Sequence, residues 1–182
     1  MEEEKLTKVR PGHADLTGMV KFEQTDARAV LERASARETA IRVAAGEVYR
    51  QYLAMLGVEI RGYVAEICGI KDENSYPFHV IARAKTTQTG MLDEALDLQA
   101  MEKIASLRSE GDTAGGVVEI RVKGLKSGFG SVMTYEEKLD GKLAQALMSI
   151  QAVKGVEFGA GFEVAEKSGK EIHDEIFYER GK

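Results

Sequence analysis

The sequence has a single cysteine, Cys68, so no internal disulfide can form. That fits a reducing, cytoplasmic setting. It has no apolar run of the length needed to cross a bilayer, and no membrane role is expected. Its opening, Met1-Glu2-Glu3-Glu4-Lys5, lacks the basic-then-apolar order of a signal peptide. It lacks a basic excess too: the net charge is −5, which argues against nucleic acid as the main partner. No internal repeat and no low-complexity block interrupts it. What remains is the composition of a globular protein, 43% hydrophobic and 30% charged over 182 residues. A chain of this length buries a sizeable core without staples, and residues 1–182 are expected to form one domain.

Pattern places the elements coarsely. Residues 1–12 are polar and end in the turn signal Pro11-Gly12. Val30, Ala34, Ile41, Ala45, Val48 and Tyr52 predict helix from about Asp26 to Leu56, with Gly57 as the stop. Within it Ser35-Ala36-Arg37-Glu38 has the capping-box form S-x-x-E, so a new helix is expected at Ser35, after a bend or short break. Residues 58–70 predict a strand covered on both faces, with Val58, Ile60 and Val64 opposite Tyr63, Ala65 and Ile67. Phe78 to Ala82 reads as a short strand in an ambiguous stretch. Helix is expected over Leu92–Arg108 and Leu139–Ile150, and strand over Val117–Lys123 and Val156–Val164. Residues 165–182 carry no strong pattern. Strands and helices are mixed, which predicts an α+β or α/β sandwich.

Few residues suggest chemistry. His13 follows the Pro-Gly turn, and a histidine titrating near neutral pH suits acid or base work; the alternative is a surface-loop residue. Asp15 stands two residues away and is a candidate to orient the ring. Arg28, Arg33, Arg37, Arg42 and Arg50 fall within 23 residues. Arginines around a helix start make a natural anion site; a capped surface helix with charge pairs accounts for the same residues. Gly111-Asp112-Thr113-Ala114-Gly115-Gly116 follows a helix and precedes a strand, the wrong order for a phosphate loop, so it reads as a turn. His173-Asp174-Glu175 reads as a solvated loop, since three adjacent side chains rarely converge on one metal. His79 reads as structural, and Cys68 has no histidine partner.

Five ordered blocks carry a resemblance. Arg10-Pro11-Gly12-His13-Ala14-Asp15 is similar to the RPGHAD segment of chorismate synthases. Arg33-Ala34-Ser35-Ala36-Arg37-Glu38-Thr39 resembles that family's SARET signature, and Gly111 to Glu119 its glycine-rich strand entry. Lys138 to Phe162 resembles a long family block, and His173-Asp174-Glu175 has its counterpart there. Glu23 stands where the family often has glycine, and residues 84–96 match poorly. The family's opening G-E-S-H-G, its later N-N-x-G-G-I-E-G-G and its terminal R-S-D are absent, so the resemblance is to about the middle half of the enzyme.

The resemblance implies an α/β sandwich fold of mixed sheet and helices, present in part, and assembly as a homotetramer. It implies a lyase of aromatic amino acid biosynthesis, in the shikimate pathway. That enzyme eliminates phosphate from 5-enolpyruvylshikimate 3-phosphate with reduced FMN, joined in some members by an NADPH-dependent flavin reductase activity. His13 is then the proton donor beside the flavin, Arg33, Ala34 and Ser35 lie along the flavin, and Arg10 and Arg37 hold the substrate's anionic groups. A chain lacking the flanking segments is expected to expose apolar surface.

Overall fold

A computed structural model describes residues 5–34 and 36–178. In chain order it has helices α1 (Asp15–Lys21), α2 (Arg28–Leu31) and α3 (Ala36–Met55), then strands β1 (Glu59–Ile67) and β2 (Ile70–Lys71). Helix α4 (Glu94–Ser109), strand β3 (Gly116–Lys123), helix α5 (Leu139–Met148) and helix α6 (Gly169–Ile172) follow. Short 3-10 turns span Val80–Lys85, Tyr135–Glu137 and Gly161–Glu166. Contacts group the chain into two compact units, Met1–Val43 with Gly128–Lys182, and Ala44–Ser127. The class is α+β, with the sheet confined to the second unit.

In the second unit the sheet order is β2-β1-β3, antiparallel throughout. The strand expected over 58–70 is in fact a hairpin. It turns at Cys68-Gly69, where both residues have positive φ (48° and 82°), and Ile67 pairs with Ile70. That is the backbone a two-residue hairpin needs, and glycine supplies the half that costs least. The expected covering of both faces is found, but the alternation is not kept: a bulge between Val64 and Glu66 shifts the register, so Ile67 shares a cluster with Val64 rather than with Tyr63 and Ala65. Tyr63 packs with Ile81 and Leu92, and Ile67 packs with Met91, which precedes α4, and with Ala100 of α4. Phe78–Ala82 forms no strand; the segment tightens into the Val80–Lys85 turn, whose Ile81 plugs the core at 1% exposure. Asp93 caps α4 by accepting the N–H groups of Ala95 and Leu96 at 2.9 and 3.0 Å.

Strand β3 reverses the usual arrangement. Its apolar residues Val118, Ile120 and Val122 are 50–63% exposed, while Glu119 and Arg121 turn inward. Cross-strand register places Val118, Ile120 and Val122 beside Val64, Gly62 and Ile60, so this face is apolar; its β3 side chains are exposed, while Ile60 and Val64 are half-buried. The inward face is polar because it is wired. Tyr63 donates to Glu119 at 2.8 Å, Arg121 pairs with Glu119, and Arg121 donates to the Tyr76 carbonyl at 2.6 Å. Tyr76 in turn donates to buried Asp72 at 2.7 Å and sits edge-on to the Tyr63 ring, 5.7 Å between centroids. Each buried polar group thereby keeps a partner.

In the first unit α1 and α2 pack at the chain's start, and α3 follows α2 after the expected break. Ser35, the expected cap, lies outside the described residues. The strand expected over Val156–Val164 does not form. Gly159 and Gly161 take positive φ (60° and 53°), which breaks the pleat and leads into a 3-10 turn. Glu157 accepts the Phe162 N–H there, and a Cβ at Gly161 would collide with the Glu157 side chain. Helix α6 opens with a capping box from Ser168 and Glu171. Among the described residues no helix is long and apolar enough to cross a membrane.

Burial, reinforced by the carboxylate partners, pushes the Tyr63 and Tyr76 hydroxyls up to about 12. Both phenols are therefore favoured as neutral in the folded state. Their contribution to stability is complete below the unfolded value of about 10 and is lost as pH rises towards 12. Urea melts between neutral pH and pH 12 are expected to show falling stability across that window. Tyr63→Phe should flatten the slope at a cost of about 1 kcal/mol at neutral pH.

Candidate functional site

The first unit's site begins with a closed loop at Arg10–Asp15. Gly12 takes φ 70°, the left-handed conformation that glycine adopts freely, and reverses the chain after Pro11. Asp15, the first residue of α1, is 1% exposed, and its carboxylate faces Arg10. Arg10 donates Nε to Oδ2 at 2.9 Å, Nη2 to Oδ1 at 3.0 Å and its own backbone N–H to Oδ2 at 3.1 Å. Those hydrogen bonds hold the Asp15 carboxyl down to about 2 and raise the Arg10 guanidinium further.

His13 stands exposed on this loop. Its Nδ1 lies 2.9 Å from the Pro11 carbonyl, which can only accept. Nδ1 therefore carries hydrogen, which leaves Nε2 as the ring nitrogen not engaged by the loop. The carbonyl of Pro11 thus orients the ring, rather than Asp15, whose oxygens are engaged by Arg10.

Helices α1 and α2 meet through Gly18. A Cβ built there would collide with the Val30 side chain, so the helices approach as closely as they do because residue 18 has none. Beside this contact runs a groove of about 580 Å³. Ala14, Gly18, Val30 and Ala34 give it apolar walls, and Lys21 and Arg33 add positive charge. Ala14 of the RPGHAD-like segment and the Arg33-Ala34 pair, about 20 positions on, therefore line one concavity, while His13 stands on the adjoining loop and is not among its lining residues. Apolar walls with two cations suit a flat aromatic ring that carries an anionic tail.

The arginines do not act as one cluster. Arg37 pairs with Glu32 at 2.6 Å, Arg42 with Glu38 at 3.5 Å, and Arg50 with Glu47 at 2.6 Å. Arg28 lies 3.8 Å from Asp26. Charge pairing along surface helices accounts for these four, and Arg33 is the member that lines the groove. Of the flavin set implied by resemblance, Arg33 and Ala34 are together in the groove and Ser35 lies outside the described residues. Arg10 is committed to Asp15, and Arg37 is 79% exposed beside Glu32.

Two contacts could not be foreseen. Thr39 donates to Gln151 at 2.8 Å and Arg42 to Ser149 at 2.7 Å, tying the first turns of α3 to the end of α5. They join residues more than a hundred positions apart, and next to them Ala152 takes φ 70°. Lys21 and Gly18 were also unmarked. Gly18 had a readable signal, a glycine inside a helix, but α1 itself was not expected. Glu23, where the resembled family often has glycine, takes φ 51°, a conformation in which glycine is unstrained. The Gly111–Gly116 stretch behaves as the expected turn: Gly111 takes φ 74°, and the Gly115 carbonyl accepts the Cys68 N–H.

Comparison with known proteins settles the class. The chorismate synthase family profile matches residues 2–182. A chorismate synthase from Bacillus licheniformis is 46% identical over 180 residues, which cover 97% of this chain and 46% of that protein. One from Thermus thermophilus is 47% identical over 178 residues, again 97% of this chain and 46% of the relative. A crystal structure of chorismate synthase superposes with a TM-score of 0.85 at 37% identity, covering 93% of this chain and 54% of that one. The fold is thus that of an α+β protein of the chorismate synthase type. The chain belongs to the chorismate synthase family, and it spans about half the length of the relatives it matches.

Gly18→Ala tests the helix contact. Alanine gains about 1 kcal/mol of helix propensity, but the methyl must displace Val30, a strain of roughly 1–3 kcal/mol. Thermal melts should show a net loss, and Val30→Ala in the same chain should give a coupling of at least about 0.5 kcal/mol.

Proposed function

We propose that this chain carries part of a chorismate synthase site. The reaction is the trans-1,4 elimination from 5-enolpyruvylshikimate 3-phosphate: the C3–O bond breaks and phosphate leaves, hydrogen leaves C6, and a new double bond gives chorismate. The observation that supports this reading is the shared groove, where Ala14, the neighbour of His13, and the Arg33-Ala34 pair line one apolar, cationic concavity. Reduced FMN, the family's cofactor, would when bound supply electron density transiently to the substrate, with no net redox change. Ala34 and the neighbouring apolar wall would take its ring system, Arg33 would meet an anionic group, and Ser35 joins them by resemblance. His13 moves a proton through Nε2. Arg37 binds a substrate carboxylate or phosphate through its planar fork. Arg10 would have to share such a role with Asp15, which already engages its fork.

A second reading is a flavin- or anion-binding module without turnover, a role the groove's apolar walls and its Lys21 and Arg33 cations would serve as well. In either case we propose a cytoplasmic, homo-oligomeric protein, tetrameric as the resemblance implies.

An anaerobic assay with chemically reduced FMN and 5-enolpyruvylshikimate 3-phosphate separates the readings. Chorismate should form, and His13→Ala should lower turnover on the order of 10²-fold or more with the fold intact. Wild-type turnover in that variant would remove His13 from the mechanism. Absence of product together with flavin binding would favour the module. Flavin fluorescence titration should show Arg33→Ala binding FMN about tenfold more weakly, since a charged hydrogen bond is worth about 1.5–3 kcal/mol.

A further inference from the structure

We infer that Asp15 is a positioning residue for His13, acting through Arg10 to fix which ring nitrogen faces outward. The inference rests on reading His13 as the proton-handling group. The chain of contacts is complete on one short loop. Asp15 is anchored in the buried side of α1, and its two oxygens take three N–H groups from Arg10. One of those is backbone, so the pair fixes the main chain at residue 10 as well as the side chain. His13 N–H returns to the Arg10 carbonyl at 3.4 Å, closing the loop a second time. Pro11 has a restricted φ, and Gly12 takes the left-handed turn that follows. With both ends held, the Pro11 carbonyl points at His13 Nδ1.

The consequence is a selected tautomer. A neutral histidine side chain free in solution prefers hydrogen on Nε2. Here the Pro11 carbonyl demands it on Nδ1, leaving the Nε2 lone pair outward. Asp15 sets this without touching the ring, because the carboxylate is spent on Arg10. An exposed histidine on a slack loop would revert to the solution preference.

The full chain in hand suffices for the test. Long-range nitrogen-15 NMR reads the tautomer of each ring, and the chain has three histidines, so His13→Gln assigns the signal. The wild type should show Nδ1 protonated and Nε2 bare at pH above the ring's titration. Asp15→Asn removes the charge and presents donors to Arg10, and the His13 signals should move to the averaged shifts of an exposed histidine. Arg10→Lys keeps the charge but loses the fork. It should give the same movement in part, and it serves where Asp15→Asn does not fold by circular dichroism. A wild-type ring with hydrogen on Nε2, or a folded variant that keeps the wild-type tautomer, would overturn the inference. Neither outcome depends on turnover, so loss of the catalytic reading through His13→Ala would register separately.

Discussion

A buried carboxylate organises the first unit. Asp15 opens α1 with almost no exposure, and a charge in that position is tolerable only with a partner of matched geometry. Arg10 provides that match through a planar fork and a backbone N–H. Arg10 is therefore held, the turn through Pro11 and Gly12 closes, and the first turn of α1 is pinned in place. Gly18, one turn further along α1, then brings Val30 of α2 into contact. The groove follows from these two constraints in sequence: an ion pair sets where the helix begins, and a missing side chain sets how near its neighbour lies.

The second unit uses a different logic. Its sheet takes shape around phenol, carboxylate and guanidinium groups rather than a wholly apolar interior. Tyr63, Glu119, Arg121, Tyr76 and Asp72 form one chain of donors and acceptors on the inward face. The apolar side chains of β3 are left on the outward face. Exposed apolar area of this extent on a sheet is characteristic of an association surface. The relatives carry roughly as much sequence again as this chain matches.

The parts legible in the sequence were those decided locally. Strand β3 and helices α4 and α5 followed from periodicity, and the break before α3 followed from its S-x-x-E signal. Ser168-Gly169-Lys170-Glu171 carries the same signal at α6 and passed unread. The β1–β2 turn was hidden because Cys68 occupies a left-handed position usually given to asparagine or aspartate. Alternation over Val156–Val164 implied two faces but could not supply a partner strand, and two positive-φ glycines decided otherwise. Alternation in β3 was read correctly as a strand, yet the pattern could not say that the polar side faces in. Of the groove's lining, motif resemblance had marked Arg33 and Ala34, and it had marked His13 on the loop beside Ala14. The pairing of Arg10 with Asp15 was not legible, because a spacing of five in a loop has no fixed geometry until Gly12 turns it.

The hairpin tip has a practical corollary. Cys68 is the chain's one thiol, it is exposed, and it sits on a two-residue turn with β-strand on either side. A maleimide dye or spin label would therefore attach at a single defined point, one per chain, within the second unit. Residues 10–34, which build the groove, would carry no reactive sulfur, so a probe at position 68 would report on the sheet while leaving that groove chemically untouched.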